Sequence, residues 1–252
     1  MYGGASINTQ MYSLRQNPSI VIGTPGRLID LIERKALRIN DLKFLILDEA
    51  DTMLDMGFLE DIEFIMSKTP ASKQTMLFSA TIPEEIKTTA KKHLHEPLFL
   101  SIGEEEELKI PTNIKHYYAM APSKLKFAIL LAYITKYNPK KAIIFVHTKY
   151  AANEIYEALK NQGIHAILLH GGLTQSKREI SLNNFRSGAK FLIATNIAAR
   201  GLDIGGISDI INFDAPDNPN IYIHRVGRSA RMNANGLAFT IVETKQRNFV
   251  SD

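Results

Sequence analysis

The chain has 252 residues, 45% hydrophobic and 22% charged, the balance of a globular chain rather than a disordered one. It contains no cysteine, which excludes disulfide frameworks, thiolate zinc sites and cysteine nucleophiles. The net charge of +4 is unevenly spread: residues 1–103 carry 11 Lys/Arg against 13 Asp/Glu, and residues 109–252 carry 19 against 9. A basic second half suggests a polyanionic partner, with solubility alone as the plainer reading. No apolar run approaches the roughly 18 residues of a membrane span. Met1-Tyr2-Gly3-Gly4-Ala5-Ser6 has neither the basic nor the apolar part of a secretory signal, so a cytoplasmic, reducing compartment is expected and no membrane partner.

Taken in chain order, short runs of consecutive apolar residues predict strands. They are Ile20-Val21-Ile22, Phe44-Leu45-Ile46-Leu47 and Met76-Leu77-Phe78, then Ile143-Ile144-Phe145-Val146, Ile167-Leu168-Leu169, Phe191-Leu192-Ile193-Ala194, Ile210-Ile211-Asn212-Phe213 and Phe239-Thr240-Ile241-Val242. Apolar on successive residues, each predicts a strand buried on both faces of a parallel sheet. Tyr117 and Tyr118 are expected at a strand edge rather than on a base-stacking platform. Residues 124–137, 151–161 and 176–185 have apolar residues three and four apart and predict helices. Alternating strand and helix gives an α/β, parallel-sheet fold. The acidic stretch 104–111, with its four consecutive glutamates and a closing proline, is expected to link a first domain, residues 1–103, to a second, residues 112–252.

In such sheets functional residues gather past the carboxyl ends of strands. Thr24-Pro25-Gly26-Arg27 follows the first run; it suits a phosphate site of free N–H groups and a guanidinium, or a plain helix cap. Asp48-Glu49-Ala50-Asp51 follows the second; it suits an acid holding Mg²⁺ beside one that orients water, or an acidic helix start. Ser79-Ala80-Thr81 follows the third, as a hydroxyl relay or another cap. In the second half, His170-Gly171 and Gln175-Ser176-Lys177-Arg178 add positive charge and a small residue for close approach. Thr195 closes a strand within a stretch that runs on to Asp203, an acid able to take a ribose hydroxyl. His224-Arg225-Val226-Gly227-Arg228-Ser229-Ala230-Arg231 places three arginines at three-residue spacing, fit for a triphosphate or for a solvated basic face. His93 and His95 have no third metal ligand near them in sequence and are expected to be surface residues.

These motifs, in this order, resemble those of the DEAD-box RNA helicases over essentially the whole chain. The resemblance implies two RecA-like domains in tandem, the first N-terminally incomplete. It implies ATP and Mg²⁺ as cofactors, and RNA, single-stranded or duplex, held by its backbone across both domains without regard to sequence. Matched residue by residue, it makes Asp48 the Mg²⁺ ligand, through water, and Glu49 the residue that positions water. Arg228 and Arg231 become the γ-phosphate arginines and Asp203 the ribose contact. Ser79 and Thr81, with Asp51 and His224, couple hydrolysis to strand separation. Gly4, Thr24, Pro25, Gly26, Arg27, Thr148, Gly171, Arg178, Thr195 and Arg200 become RNA-backbone contacts.

Two departures stand out. Ala230 replaces the family's usual glycine and leaves the flanking arginines in place. More consequentially, the phosphate loop G-x-x-x-x-G-K-[ST] is missing, since no glycine of the chain is followed by lysine. The adenine-reading segment and first RNA-binding motif that precede it in the family are missing too. The expectation is a helicase truncated at its N-terminus that hydrolyses ATP poorly or not at all by itself. Other readings are an RNA-binding or annealing protein without turnover, a DNA helicase of the same superfamily, and a docking module.

Overall fold

A string of apolar residues becomes a doubly buried strand only where the sheet offers neighbours on both edges and helices on both faces. That condition is met in one part of this chain and not in the other. The structure, a computed structural model, describes residues 1–79, 81–101, 113–199, 204–217, 219–229 and 236–245. It divides into two units, residues 1–104 and 105–252. The expected linker, residues 104–111, lies outside the described residues.

The first unit runs α1 (Ile7–Leu14), α2 (Pro25–Glu33), β1 (Phe44–Leu47), α3 (Ala50–Asp55), α4 (Leu59–Ser67), β2 (Gln74–Leu77) and α5 (Glu84–His93). Leu31 of α2 is fully buried, and Ile62, Ile65 and Met66 of α4 are buried with it. β1 and β2 pair in parallel, from Phe44 against Gln74 to Leu47 against Leu77. Three expectations fail here, one of them at Met76-Leu77-Phe78, where β2 stops at Leu77 and Phe78 is more than half exposed. Ile20-Val21-Ile22 forms no strand, and Ile20 and Ile22 are 78% and 81% exposed. The segment is held instead by the chain start: the Met1 amine donates to the Ile22 carbonyl, and Thr24 N–H donates to the Met1 carbonyl at 2.9 Å. Nor is β1 buried on both faces, since Phe44 and Ile46 are each more than half exposed. The reason is the same for these two: among the described residues β1 has a strand on one edge alone.

The second unit runs β3 (Ile114–Ala121), a 3-10 turn (Ser123–Leu125), α6 (Lys126–Tyr137), β4 (Ala142–Val146), α7 (Lys149–Asn161), β5 (Ala166–Leu169), α8 (Gln175–Arg186), β6 (Phe191–Thr195), α9 (Asn196–Ala199), β7 (Asp209–Asn212), α10 (Pro219–Val226) and β8 (Gly236–Glu243). Its six strands lie in the order β3-β8-β7-β4-β6-β5, every pair parallel. Successive residues of a strand point to opposite faces, and the core divides accordingly. Ile144, Val146, Ile193 and Ile241 pack with Leu130 of α6 and Ile155 and Leu159 of α7. Ile143, Phe145, Leu192 and Ile210 pack on the other face with Phe185 of α8 and Val226 of α10. Tyr117 and Tyr118 sit on β3, an edge strand, as expected, and are about half exposed. Parallel pairing with helices on both faces brings the ends of β4, β5 and β6 side by side. No helix among the described residues is long and apolar enough to cross a membrane.

Candidate functional site

In the first unit the acidic tetrapeptide leaves the end of β1. Phe78 N–H donates to the Leu47 carbonyl at 2.8 Å and Ala50 N–H to the Phe78 carbonyl at 3.1 Å, so the two chains stay together beyond the strands. Glu49 adopts left-handed backbone, φ 50° and ψ 49°, which costs a non-glycine residue on the order of 1 kcal/mol. Asp48 Oδ1 accepts the Glu49 N–H at 2.9 Å, and both carboxylates are exposed.

Asp51 faces the other way and is buried. Its Oδ2 accepts from Thr81 N–H at 3.0 Å and from the Thr81 hydroxyl at 3.1 Å. Its Oδ1 accepts from Thr52 N–H at 2.9 Å. In return, Asp51 N–H donates to Ser79 Oγ at 3.0 Å, and that hydroxyl donates to the Thr81 carbonyl at 2.6 Å. Hydrogen bonds to a buried carboxylate are among the stronger ones. These bonds join the tetrapeptide to Ser79 and Thr81.

Thr24-Pro25-Gly26-Arg27 starts α2, with Pro25 at the first helical turn. Thr24 makes no side-chain cap bond, so its hydroxyl is not committed to the helix. Arg27 Nη1 donates to the Ala5 carbonyl at 3.2 Å, tying this corner to the Gly3-Gly4 turn, where Gly4 has φ 83°. Gly23 is packed so closely that a Cβ would stand 2.5 Å from Leu28 Cδ2 and 2.8 Å from the Met1 carbonyl. The structure thus brings Gly4 and Arg27 together, and Asp51, Ser79 and Thr81 together.

In the second unit, hydroxyls and glycines line the ends of three adjacent strands. Thr148 follows β4 and caps α7, accepting from Ala151 N–H at 3.0 Å; its hydroxyl proton is left for another acceptor. Thr195 ends β6. Past β5, His170 Nδ1 accepts the Gly172 N–H at 3.1 Å and shapes the Gly171-Gly172 turn. Burial, and then the nearby Lys149, hold the His170 imidazole below its usual range. Thr174, which the sequence reading passed over, caps α8 in the same row. Arg178 Nε–H is buried and has no protein acceptor, a donor that calls for explanation in a native fold.

The sequence reading counted Arg225 among the three spaced arginines without giving it a role of its own; here it is held by three hydrogen bonds, with its Nη2 buried and unpartnered. It is only 2% exposed. Its Nε donates to Asn196 Oδ1 at 2.7 Å, and its Nη1 donates to Asn212 Oδ1 at 2.9 Å and to the Asp214 carbonyl at 2.7 Å. The guanidinium lies over the Phe145 ring, 5.0 Å from its centroid. Burial pushes it down to about 10, with Asp214 and Asp217 acting against that, so it stays charged at neutral pH. Asp214 in turn accepts His147 N–H at 2.9 Å through Oδ2 and pairs with buried Lys126 through Oδ1. Asn212 lies within the predicted strand 210–213 and Asp214 directly follows it, so the sequence signal for both is a polar residue at a strand's carboxyl end. His224 and Arg228 flank Arg225 and line with it, Phe145, Asn196 and Ala199 a cavity of about 20 Å³. Arg200, Asp203 and Arg231 lie outside the described residues. His93 Nε2 faces Glu63 Oε1 at 3.4 Å, beside Lys92 at 2.9 Å.

Comparison with known proteins agrees with this layout. Residues 1–89 match the DEAD/DEAH box helicase family and residues 125–233 the helicase conserved C-terminal domain. The chain is 41% identical over 251 residues to the DEAD-box ATP-dependent RNA helicase CshA of Bacillus subtilis, covering 99% of this chain and 50% of that protein. It thus spans about half the length of the curated relatives it matches. Saccharomyces cerevisiae Dbp5 bound to RNA and ADP BeF3 superposes with a TM-score of 0.83 at 34% identity, over 93% of this chain and 62% of that one. A hypothetical ATP-dependent RNA helicase from Sulfolobus tokodaii is 36% identical, with a TM-score of 0.52, over 97% of this chain and 70% of that one. With both family domains matched in the expected order and Asp48, Glu49, Thr148 and Thr195 seated at strand ends, the chain belongs to the DEAD-box helicase family.

Proposed function

We propose that this chain carries RNA-binding and force-transmitting parts of an ATP-dependent RNA helicase. The observation that carries the reading is the Asp51 carboxylate bound to Thr81 N–H and hydroxyl, which joins the acidic tetrapeptide to the Ser79/Thr81 hydroxyls. RNA would be held by its backbone, through Gly4, Thr24 to Arg27, Thr148, Gly171, Arg178, Thr195 and Arg200. The unpaired Arg178 Nε–H supports a phosphate there. Binding of this kind is insensitive to sequence and falls with salt. The relatives' printed names, ATP-dependent RNA helicases, and the RNA in the Dbp5 complex support the same substrate.

Asp48 is exposed with one oxygen engaged by Glu49 N–H, which suits a carboxylate that meets a hydrated Mg²⁺. Among the described residues no three His, Cys, Asp or Glu converge, so the ion would rest on Asp48, water and the nucleotide's own phosphates, as Mg²⁺ commonly does. When bound, MgATP would supply the cleavable phosphoanhydride. Glu49 would orient the attacking water, Arg228 and Arg231 would offset phosphate charge, and Asp203 would take the ribose. Without a Gly-Lys phosphate loop these 252 residues offer the β- and γ-phosphates no lysine cradle, and we infer weak or absent turnover from them alone. That same lack favours RNA binding or annealing without turnover as the second reading.

The test is fluorescence anisotropy with a single-stranded RNA at several salt concentrations, with and without an ATP analogue. The expected result is salt-dependent binding whose slope falls by about 0.7 in Arg178→Ala, one phosphate contact. Affinity that shifts with the analogue favours the helicase reading, and unshifted affinity favours the second. Equal binding of neutral polymers, or RNA-stimulated turnover at ordinary helicase rates, would refute the assignment made here.

A further inference from the structure

We infer that Arg225 is the positioning residue through which the RNA-facing strand ends and the phosphate-facing side of α10 move as one piece. This rests on the functional reading above and adds to it a route within the second unit. The sequence singles out His224, Arg228 and Arg231 for chemistry. The side chain between them points inward.

Two of the three bonds of Arg225 lead to a proposed RNA contact. Nε reaches Asn196 Oδ1 at 2.7 Å, and Asn196 follows Thr195 directly. Nη1 reaches the Asp214 carbonyl at 2.7 Å; the Asp214 carboxylate holds His147 N–H at 2.9 Å, and His147 precedes Thr148 directly. A third bond, to Asn212 Oδ1 at 2.9 Å, fixes the guanidinium to β7, and Asn212 Nδ2 is anchored in turn on Thr240 Oγ1 at 3.0 Å. On its own helix Arg225 adjoins His224, and Arg228 follows two residues past the helix end. A displacement of Thr195 or Thr148 by RNA is therefore delivered to α10 through short bonds, each with a charged partner: part-buried at the guanidinium and more exposed where Asp214 holds His147 N–H.

The chemistry favours linkage over simple filling. A buried cation is no better for stability than an apolar side chain of the same size. What arginine adds is a rigid planar fork that donates in two directions at once. Here one arm serves β6 and the other serves β7. Lysine carries its three donors on one nitrogen and cannot reproduce the spread of Nε and Nη1 that reaches both.

The experiment is hydrogen–deuterium exchange of the whole chain over residues 219–229, with and without saturating single-stranded RNA, alongside RNA affinity. The chains compared are the unsubstituted one, Arg225→Lys, Asn196→Ala and the double variant. RNA is expected to slow exchange in α10 about tenfold in the unsubstituted chain and by less than about twofold in either variant. Each variant is expected to bind RNA about tenfold more weakly, and the double variant no more weakly than either, because both cut one path. Should Arg225→Lys fold poorly, Asn196→Ala leaves the guanidinium on Asn212 and Asp214 and decides alone. Protection of α10 that survives both substitutions, or losses that add, would overturn the role of Arg225 while leaving RNA binding intact. An unsubstituted chain that binds no RNA would overturn the functional reading, and this route with it.

Discussion

Phe44-Leu45-Ile46-Leu47 in the first unit and Ile143-Ile144-Phe145-Val146 in the second are both runs of four large apolar residues, and both form parallel strands. Their surroundings are opposite. Ile144 is fully buried, paired with Ile193 on one side and Ile211 on the other and covered by α6 and α7. Ile46 is 56% exposed and pairs on one edge with Met76. Burial is thus a property of the sheet and not of the strand's own residues. What holds the functional residues differs with it. The second unit fixes its strand ends with a two-faced core beneath them. The first relies on polar bonds at the strand ends themselves, above all those of Asp51.

Core deletion should expose that difference most strongly. Ile144→Ala is expected to cost about 3 kcal/mol in the unfolding of the second unit, by lost transfer energy and the cavity left behind. Ile46→Ala, at an exposed site, is expected to cost less than about 0.5 kcal/mol. Urea unfolding followed by circular dichroism, fitted as two transitions, measures both. A cost above about 2 kcal/mol at Ile46 would mean that β1 is covered in solution, and the contrast would fail.

The polar side of the comparison is tested at Asp51. Asp51→Ala leaves Thr81 N–H, its hydroxyl and Thr52 N–H without their acceptor, for an expected cost of about 2 kcal/mol in local stability. Amide exchange at residues 50–53 and 79–82 should quicken together, while exchange in β4 and β6 stays unchanged. Faster exchange confined to residues 50–53 would show that the tetrapeptide and the hydroxyl pair are not mechanically joined.

The second unit's fold was legible in the sequence because every predicted run there found neighbours. The apolar strings 143–146, 191–194 and 210–213 became the central strands β4, β6 and β7 with ends shifted by a residue at most. Ile20-Val21-Ile22 was misread because a string reports apolarity and says nothing of partners. Asp48, Glu49 and Thr195 were legible as polar residues ending strands, and Thr148 only through the family resemblance. Asp51 was legible as part of a motif, but its grip on Thr81 depends on two strands meeting 30 residues apart in sequence. Arg225 was hidden among arginines of equal spacing, because the inward turn of one side chain depends on where α10 packs against Phe145.

Acid should separate the two units by the smallest effect. In the second, His170 Nδ1 must be unprotonated to accept Gly172 N–H, and burial, then Lys149, keep the folded imidazole below its usual value. Below about pH 6.5 the unfolded chain takes up a proton that the folded one refuses. Stability of this unit therefore falls as pH drops from there, and the loss ends once the folded imidazole protonates as well. In the first unit the shifted groups are carboxylates. Hydrogen bonds from Lys92 and His93 hold Glu63 below its ordinary 4.5, and a hydrogen bond from Lys87 does the same for Glu84. Their contribution is present above about 4.5 and is lost as pH falls through the folded values. Both are solvent-exposed pairs and individually weak. Between pH 7 and 5 the second unit should thus lose stability through His170 while the first gains no such dependence from Glu63 or Glu84. His170→Asn keeps an acceptor for Gly172 N–H and removes the titration, so its unfolding midpoint for the second unit should vary less over that range. An unchanged slope in His170→Asn would place the acid sensitivity on another group and remove this distinction between the units.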